Sequence, residues 1–485
     1  MVEQLSKERL RAEFVGKSLN DAITPSVVLD LAKVEAQCSL MLEASERLQL
    51  SWRAHIKTHK TEELTRLQVG DKSSSPVNLI VSTIIEAEKL VPLLKEYQEK
   101  GRKVNVLYSF PLYPSSIPRL AAVSSALGAG AVTVMVDHVD QVPYLASLKS
   151  SSAHAPLVFL KVNIGSNRAG VVPDTPACAA LVDALLASEQ AGESVLLGVY
   201  SHAGHSYATR RDWEAMGILG AEFEALKRVA EIVRDRRAPG KDALVLSVGA
   251  TPTVTTIQHP DLACSTNGDA PANGTNNSEA SDILTVVPTA YLKQLLKTLK
   301  ASGFALEVHA GVYPTLDIQQ LAAHARDSSF LNSSKIGISV LADIASVYPA
   351  RGPGGSTEAL VNAGCIALGR EPCIDMGPAP GHDYCAFGVL MPWDQLADVL
   401  PVPGPGFPAE HKGWEVAKLS QEHGILQWVG PKEEEVPLRV GQRVRIWPNH
   451  SCITGAAHAY YLVVDSRNEG REDEIVDIWV RWNGW

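Results

Sequence analysis

Apolar runs of strand length recur through the first two thirds of the chain, separated by longer stretches with the apolar spacing of helices. The runs are Ser26–Asp30, Trp52–Lys57, Val77–Ser82, Lys103–Ser109, Ala131–Val136, Pro156–Asn163, Val195–Ser201, Ala243–Val248 and Phe304–His309. Several are unbroken and β-branched, as parallel strands buried on both faces are. Ile84–Lys100 and Met216–Arg236 have the length and period of the helices between them. With the first run set aside as a lead-in strand, the eight that remain alternate with helices between Trp52 and His309, the pattern of a (β/α)8 TIM barrel. A doubly wound sheet is the competing α/β arrangement, but it rarely needs so many uninterrupted units.

Two stretches break the rhythm. Residues 261–282, DLACSTNGDAPANGTNNSEASD, are rich in Asn, Ser, Ala and Gly and read as a surface insertion before the last barrel strand. Beyond about residue 335, proline and glycine become dense, as in RGPGG at 351–355 and PVPGPGFP at 401–408. Short β-like runs follow at Arg439–Ile446, Ala459–Val464 and Ile475–Trp482, the pattern of a separate β-rich domain. The expected organisation is an N-terminal extension over 1–24 that packs on the C-terminal domain, a barrel over 25–335, and a β-rich domain over 336–485.

Composition narrows the function classes. At 485 residues the chain is long enough for two to three domains, and 45% hydrophobic with 20% charged residues is ordinary globular usage. The net charge of −10 argues against a nucleic-acid partner, which calls for a basic face. The opening MVEQLSKERLRAEF has no apolar run of a secretory signal, and no stretch approaches the roughly 20 apolar residues of a membrane span. Seven scattered cysteines form neither a disulfide framework nor a CxxC pair, which fits a reducing, cytoplasmic setting.

In a barrel, chemistry sits at the C-terminal ends of the strands. The first strand ends in Ala54-His55-Ile56-Lys57-Thr58-His59-Lys60. A lysine closing a buried strand is costly to desolvate and therefore a credible imine-forming nucleophile and base; a surface lysine just past the strand is the plainer reading. After the fifth and sixth strands come NIGSNRAG (163–170) and YSHAGHSY (200–207). Tyrosine and histidine in a glycine-broken loop suit ligand contact, although packed aromatics are the common alternative. The last two strands run into SVGATPT (247–253) and HAGVY (309–313), whose glycine-freed N–H groups lie where barrels commonly hold a phosphate. A lysine and a phosphate cradle together outline a site for a phosphorylated aldehyde, pyridoxal phosphate. In PNHSC (448–452), an extended backbone would bring His450 and Cys452 to one side, an imidazole and thiolate suited to Zn²⁺.

HIKTHK, NIGSNRAG, YSHAGHSY, SVGATPT, HAGVY, LSQEHG (419–424) and PNHSC resemble, in order and across nearly the whole chain, the eukaryotic-type D-serine dehydratases. These are alanine-racemase-like, fold type III pyridoxal-phosphate enzymes, grouped with the D-threonine aldolases. The resemblance implies a barrel plus a β-rich domain, a homodimer and a catalytic zinc. It implies Lys57 as the Schiff-base lysine, with Lys60 as its rival in the same motif. It further implies Tyr200, Tyr207 and Thr251 at the cofactor, the Gly311 and Val312 backbone at its phosphate, and His450 and Cys452 on zinc. Arg168 and His202 are both open as the partner of the pyridine nitrogen. The sequence departs from the family's pattern at Ala54, where a proline is usual, and at Val312.

The implied reaction is conversion of D-serine to pyruvate and ammonia, with Lys57 removing the Cα proton and zinc assisting departure of hydroxide. A thiolate ligand favours zinc, where the aldolases resemble a harder site with aspartate. The alternatives are a D-threonine aldolase, a 3-hydroxy-D-aspartate dehydratase and a non-catalytic pyridoxal-phosphate-binding protein. The last is a single-domain kind, so the C-terminal HxC domain argues against it.

Overall fold

The computed structural model describes residues 6–262, 279–373 and 386–485. Most of the expected 261–282 insertion, together with Cys264 and Cys385, therefore lies outside the described residues. The chain divides into two compact units: one holds Ser39–Lys57, Gln68–Gly311 and Gly484–Trp485, the other Met1–Cys38, Thr58–Leu67 and Val312–Asn483.

The first unit is the barrel. Its strands are β2 (Ser51–His55), β3 (Val77–Val81), β4 (Val104–Pro111), β5 (Val132–Val136), β6 (Leu157–Lys161), β7 (Val195–Tyr200), β8 (Val245–Val248) and β9 (Ala305–Ala310), following β1 (Ser26–Asp30) in the chain. β2 to β9 pair in parallel and in sequence order, and β9 returns to β2 to close the ring. Helices Ile84–Glu99 and Asp212–Arg236 fall close to where the apolar period put them. One strand end differs from expectation in a way that matters. β2 stops at His55, and Lys57 lies in the turn beyond it, half-buried, because Ile56 already hands its N–H to the Ile80 carbonyl and the chain then turns away. The lysine that does close a buried strand is Lys161, the last residue of β6.

A charged cluster spans the barrel interior. Arg53 Nε donates to Glu307 Oε1 at 2.7 Å and Arg53 Nη1 to Asn105 Oδ1 at 2.7 Å, with Arg53 and Glu307 only 2% and 3% exposed. Ser247 Oγ adds a 2.8 Å bond to the same Glu307 oxygen. Such a pair persists in a dry interior only because its donors and acceptors are matched on several sides.

The second unit is built on a nine-stranded sheet. Its later strands are β10 (Ile338–Tyr348), β11 (Glu358–Val361), β12 (Gly388–Met391), β13 (Gly413–Leu419), β14 (Gly424–Val429), β15 (Arg443–Pro448), β16 (Tyr460–Val464) and β17 (Ile475–Val480). The order is β11-β14-β13-β12-β15-β10-β1-β16-β17, and the long β10 pairs with β11 as well as β15, which closes six antiparallel strands into a ring.

The expected bounds of 25–335 for the barrel are corrected at both ends. β1 lies in this second sheet, antiparallel to β10 and parallel to β16, and the chain from Val312 onward also belongs here. Every residue of β1 is buried, so it needs a neighbour on each side, and a ring already closed by eight strands offers no free edge. Before it, Leu10 and Phe14 of the helix Lys7–Phe14 pack into a core with Val28, Leu462 and Ile478.

Candidate active site

The C-terminal ends of the barrel strands surround a cavity of about 530 Å³, within the range of small-molecule sites. Lys57, Lys161, Arg168, Asp137, Tyr200 and His202 are among its lining residues. Two residues after β2, Lys57 reaches it from the turn. Lys60, the rival in the motif, is grouped with the second unit, where its carbonyl accepts the Trp482 N–H at 2.8 Å.

Hydrogen bonds tie the loops at this end of the barrel to one another. The His202 ring donates from Nδ1 to the Gly249 carbonyl at 2.7 Å, linking YSHAGHSY to SVGATPT. Gly249 has φ +149°, and a Cβ there would stand 2.2 Å from the His309 carbonyl oxygen, so only glycine lets these strands approach. The His309 ring, 4.3 Å away and 10° off parallel, stacks on Tyr200. His202 is held well below its ordinary pKa, first by burial and then by the charges of Lys161, Arg168 and Lys57, so it stands as a neutral imidazole.

Thr251 opens the short helix Thr251–Thr255 and is buried. Tyr207 sits in the helical turn Gly204–Ala208, and Gly311 is the last residue grouped with the barrel. None of these three lines the cavity above; Val312 is the first residue grouped with the second unit.

Glu222, on the helix Asp212–Arg236, stands behind the loops. It accepts hydrogen bonds from Ser201 Oγ at 2.9 Å and Thr253 Oγ1 at 3.3 Å, and from the Gly249 N–H. Burial pushes its carboxyl up to about 7 despite these donors and the Lys161 charge. The folded chain therefore keeps this proton between pH 4.5 and 7 while the unfolded chain gives it up, so stability from this group falls as pH rises through that window. Relative to wild type, Glu222→Gln should gain about 3 kcal/mol over that interval. Denaturant titrations at several pH values would check this; parallel pH profiles for the two proteins would contradict it.

His450 and Cys452 lie in the second unit, and the backbone there corrects the expectation of an extended segment. His450 is the extended N-cap residue of a helix, Ser451–Ala456, that already contains Cys452. Strand alternation therefore does not place the imidazole and the thiol; the helix start does. Asp317 pins it, accepting the Ser451 N–H at 2.9 Å, and Asn449 Nδ2 donates to the Ala386 carbonyl at 2.7 Å. Cys452 Sγ lies 3.1 Å from Thr58 Oγ1. Among the described residues no group of three His, Cys, Asp or Glu is gathered for a metal. The imidazole and thiol fit zinc by chemistry, and two protein ligands leave positions open for water or substrate.

Sequence reasoning missed Lys161, Asp137 and Glu222. The signal for Lys161 was present, since LVFLK is a buried strand closed by lysine, but the argument was applied to Lys57 instead. Glu222 carries no local signal, being one carboxylate among several on a long amphipathic helix.

An eight-stranded parallel barrel with a lysine-lined cavity, in a chain that also carries an antiparallel β domain, defines the alanine-racemase-like class. Residues 29–265 match the family described as alanine racemase, N-terminal domain, and residues 337–464 match the putative serine dehydratase domain. The D-serine dehydratase of Schizosaccharomyces pombe is 34% identical over 99% of this chain and 96% of its own length. That of Saccharomyces cerevisiae is 30% identical over 98% and 99%. Among solved structures, the D-threo-3-hydroxyaspartate dehydratase from Delftia sp. HT23 superposes with TM-score 0.68 at 22% identity, covering 97% of this chain and 100% of that one. The chain belongs to the D-serine dehydratase family.

The donor set of the cavity fits pyridoxal phosphate, the cofactor this class carries. A lysine amine is present for its aldehyde, and two further cations, Lys161 and Arg168, accompany it for an anionic ligand.

Proposed function

We propose that this protein is a pyridoxal-phosphate- and zinc-dependent D-serine dehydratase that releases pyruvate and ammonia. The observation that carries the reading is end-to-end kinship with two D-serine dehydratases at 30% identity or more, with Lys57 lining the barrel cavity. Lys57 holds the cofactor and, once freed, takes the Cα proton of the substrate. Tyr200, Tyr207 and Thr251 contact the cofactor, and the Gly311 and Val312 backbone receives its phosphate. The bound cofactor supplies an electron sink at Cα. His450 and Cys452 would hold zinc, which would supply Lewis acidity toward the leaving hydroxyl. In support, a cysteine-to-alanine variant of a D-threo-3-hydroxyaspartate dehydratase has been solved in a metal-free form. A cytoplasmic homodimer completes the reading, on the family resemblance.

The test is a substrate panel with coupled detection of pyruvate. D-Serine should give pyruvate, L-serine none, and D-threonine 2-oxobutyrate with no acetaldehyde. Glycine and acetaldehyde from D-threonine would place the protein with the aldolases, and exclusive turnover of 3-hydroxyaspartate would place it with the Delftia enzyme.

A further inference from the structure

β4 is the longest strand of the barrel ring. Its register against β5 slips between Tyr108, which pairs with Val134, and Pro111, which pairs with Met135. Ser109 and Phe110 are therefore extra residues in the ladder, a bulge of the kind that re-aims side chains at barrel rims. The Leu112 N–H donates to the Met135 carbonyl at 2.9 Å and closes the bulge. Both bulged residues line the cavity. The Phe110 ring meets Tyr113 edge-on, with centroids 5.9 Å apart at 87°, and the Tyr113 hydroxyl lies 3.2 Å from that of Tyr108. Phe110 is 59% exposed, so the bulge and not the core sets its place.

Ring order gives this wall its chemistry. Lys57 follows β2, and β3 and β4 are the next strands around the barrel. They contribute Ser82, Ser109, Phe110 and Pro111 to the cavity, none of them charged. After β5 comes Asp137, a carboxylate that already accepts the Gly170 N–H at 2.9 Å and Gln141 Nε2 at 3.1 Å. The cations Lys161 and Arg168 come only later, from β6 and the loop beyond it. A carboxylate pressed against the β3–β4 wall would lose its water and gain no partner, whereas a methyl group would be welcome there.

We propose that Phe110, delivered by the β4 bulge, determines specificity at the substrate's Cβ. It admits D-amino acids whose Cβ carries hydrogen or methyl beside the hydroxyl, and it rejects those whose Cβ carries a carboxylate. The substrate class is then D-serine and D-threonine, with 3-hydroxy-D-aspartate excluded. This rests on the dehydratase reading, in which Cα lies within reach of Lys57 and the Cβ substituents face the neighbouring β3–β4 wall.

The experiment uses three ligands that lack a leaving group: D-alanine, D-2-aminobutyrate and D-aspartate, whose Cβ carries hydrogen, methyl and carboxylate in turn. Their dissociation constants are read from the spectral change of the holoenzyme in wild type, Phe110→Leu and Phe110→Arg. Wild type should bind D-aspartate about 30-fold or more weakly than D-alanine, and D-2-aminobutyrate within about 3-fold of D-alanine. Phe110→Arg should cut the D-aspartate penalty about 10-fold or more, because a guanidinium now meets the second carboxylate, and Phe110→Leu should keep it. In turnover, Phe110→Arg should raise kcat/KM for 3-hydroxy-D-aspartate relative to D-serine by a similar factor.

A wild type that binds D-aspartate as tightly as D-alanine, or an unchanged ratio in Phe110→Arg, would overturn the proposal. So would an equal penalty for D-2-aminobutyrate, which would mark rejection by size. A change of oligomeric state on sedimentation with the ratio untouched would overturn it too, since the ring would then belong to an interface. Absence of pyruvate from wild type would sink the dehydratase reading, while the three binding constants still judge Phe110.

Discussion

Lys57→Ala is expected to lower pyruvate formation from D-serine by on the order of 10³-fold or more, because in the proposed mechanism one amine both holds the cofactor and moves the Cα proton. The second readout is independent of turnover. Borohydride reduction of wild type should fix the cofactor on the peptide carrying Lys57, and the variant should yield no fixed cofactor and lose the visible absorbance of the holoenzyme. Lys60→Ala should retain both, since Lys60 is grouped with the second unit and its backbone is tied to Trp482. Fixed cofactor recovered at Lys60 or Lys161 would show that the wrong amine has been assigned.

The second large effect is expected at the metal. Purified wild type should carry zinc, His450→Ala and Cys452→Ala should each lose it, and turnover should fall roughly 10³-fold, the equivalent of about 4 kcal/mol of lost stabilisation of the leaving hydroxide. Chelation of wild type should reproduce the loss, and added Zn²⁺ should restore wild type but neither variant. Elemental analysis keeps the test separate from activity. Zinc retained by both variants, or full activity in a fully zinc-depleted enzyme, would remove the metal from the proposal. Thr58→Val probes the surroundings of the same sulfur, since its hydroxyl stands 3.1 Å from Cys452 Sγ.

Much of the architecture was legible in the chain. Eight apolar runs named the barrel strands to within a few residues, because a parallel strand buried on both faces has to be apolar at consecutive positions and cannot hide in a mixed pattern. The HxC motif offers two zinc-type donors, but its backbone was misread. Alternation was assumed there because a strand precedes it, whereas Asp317, 134 residues earlier in the chain, starts a helix at Ser451.

What the sequence by itself determined was therefore periodic or chemical: the barrel, the β-rich region and the residue types of the motifs. Tertiary structure alone decided which sheet received β1, which lysine of HIKTHK is grouped with the barrel, and which lysine is buried. Local pattern records the burial of a whole strand face, but a side chain's electrostatic surroundings come from residues far apart in the chain. The surroundings of Lys161 are Arg168, Glu222, Asp137 and the Tyr200 ring, and those of Glu222 are Ser201, Gly249 and Thr253. Desolvation and charge act through space, and the order of residues in the chain does not record those distances.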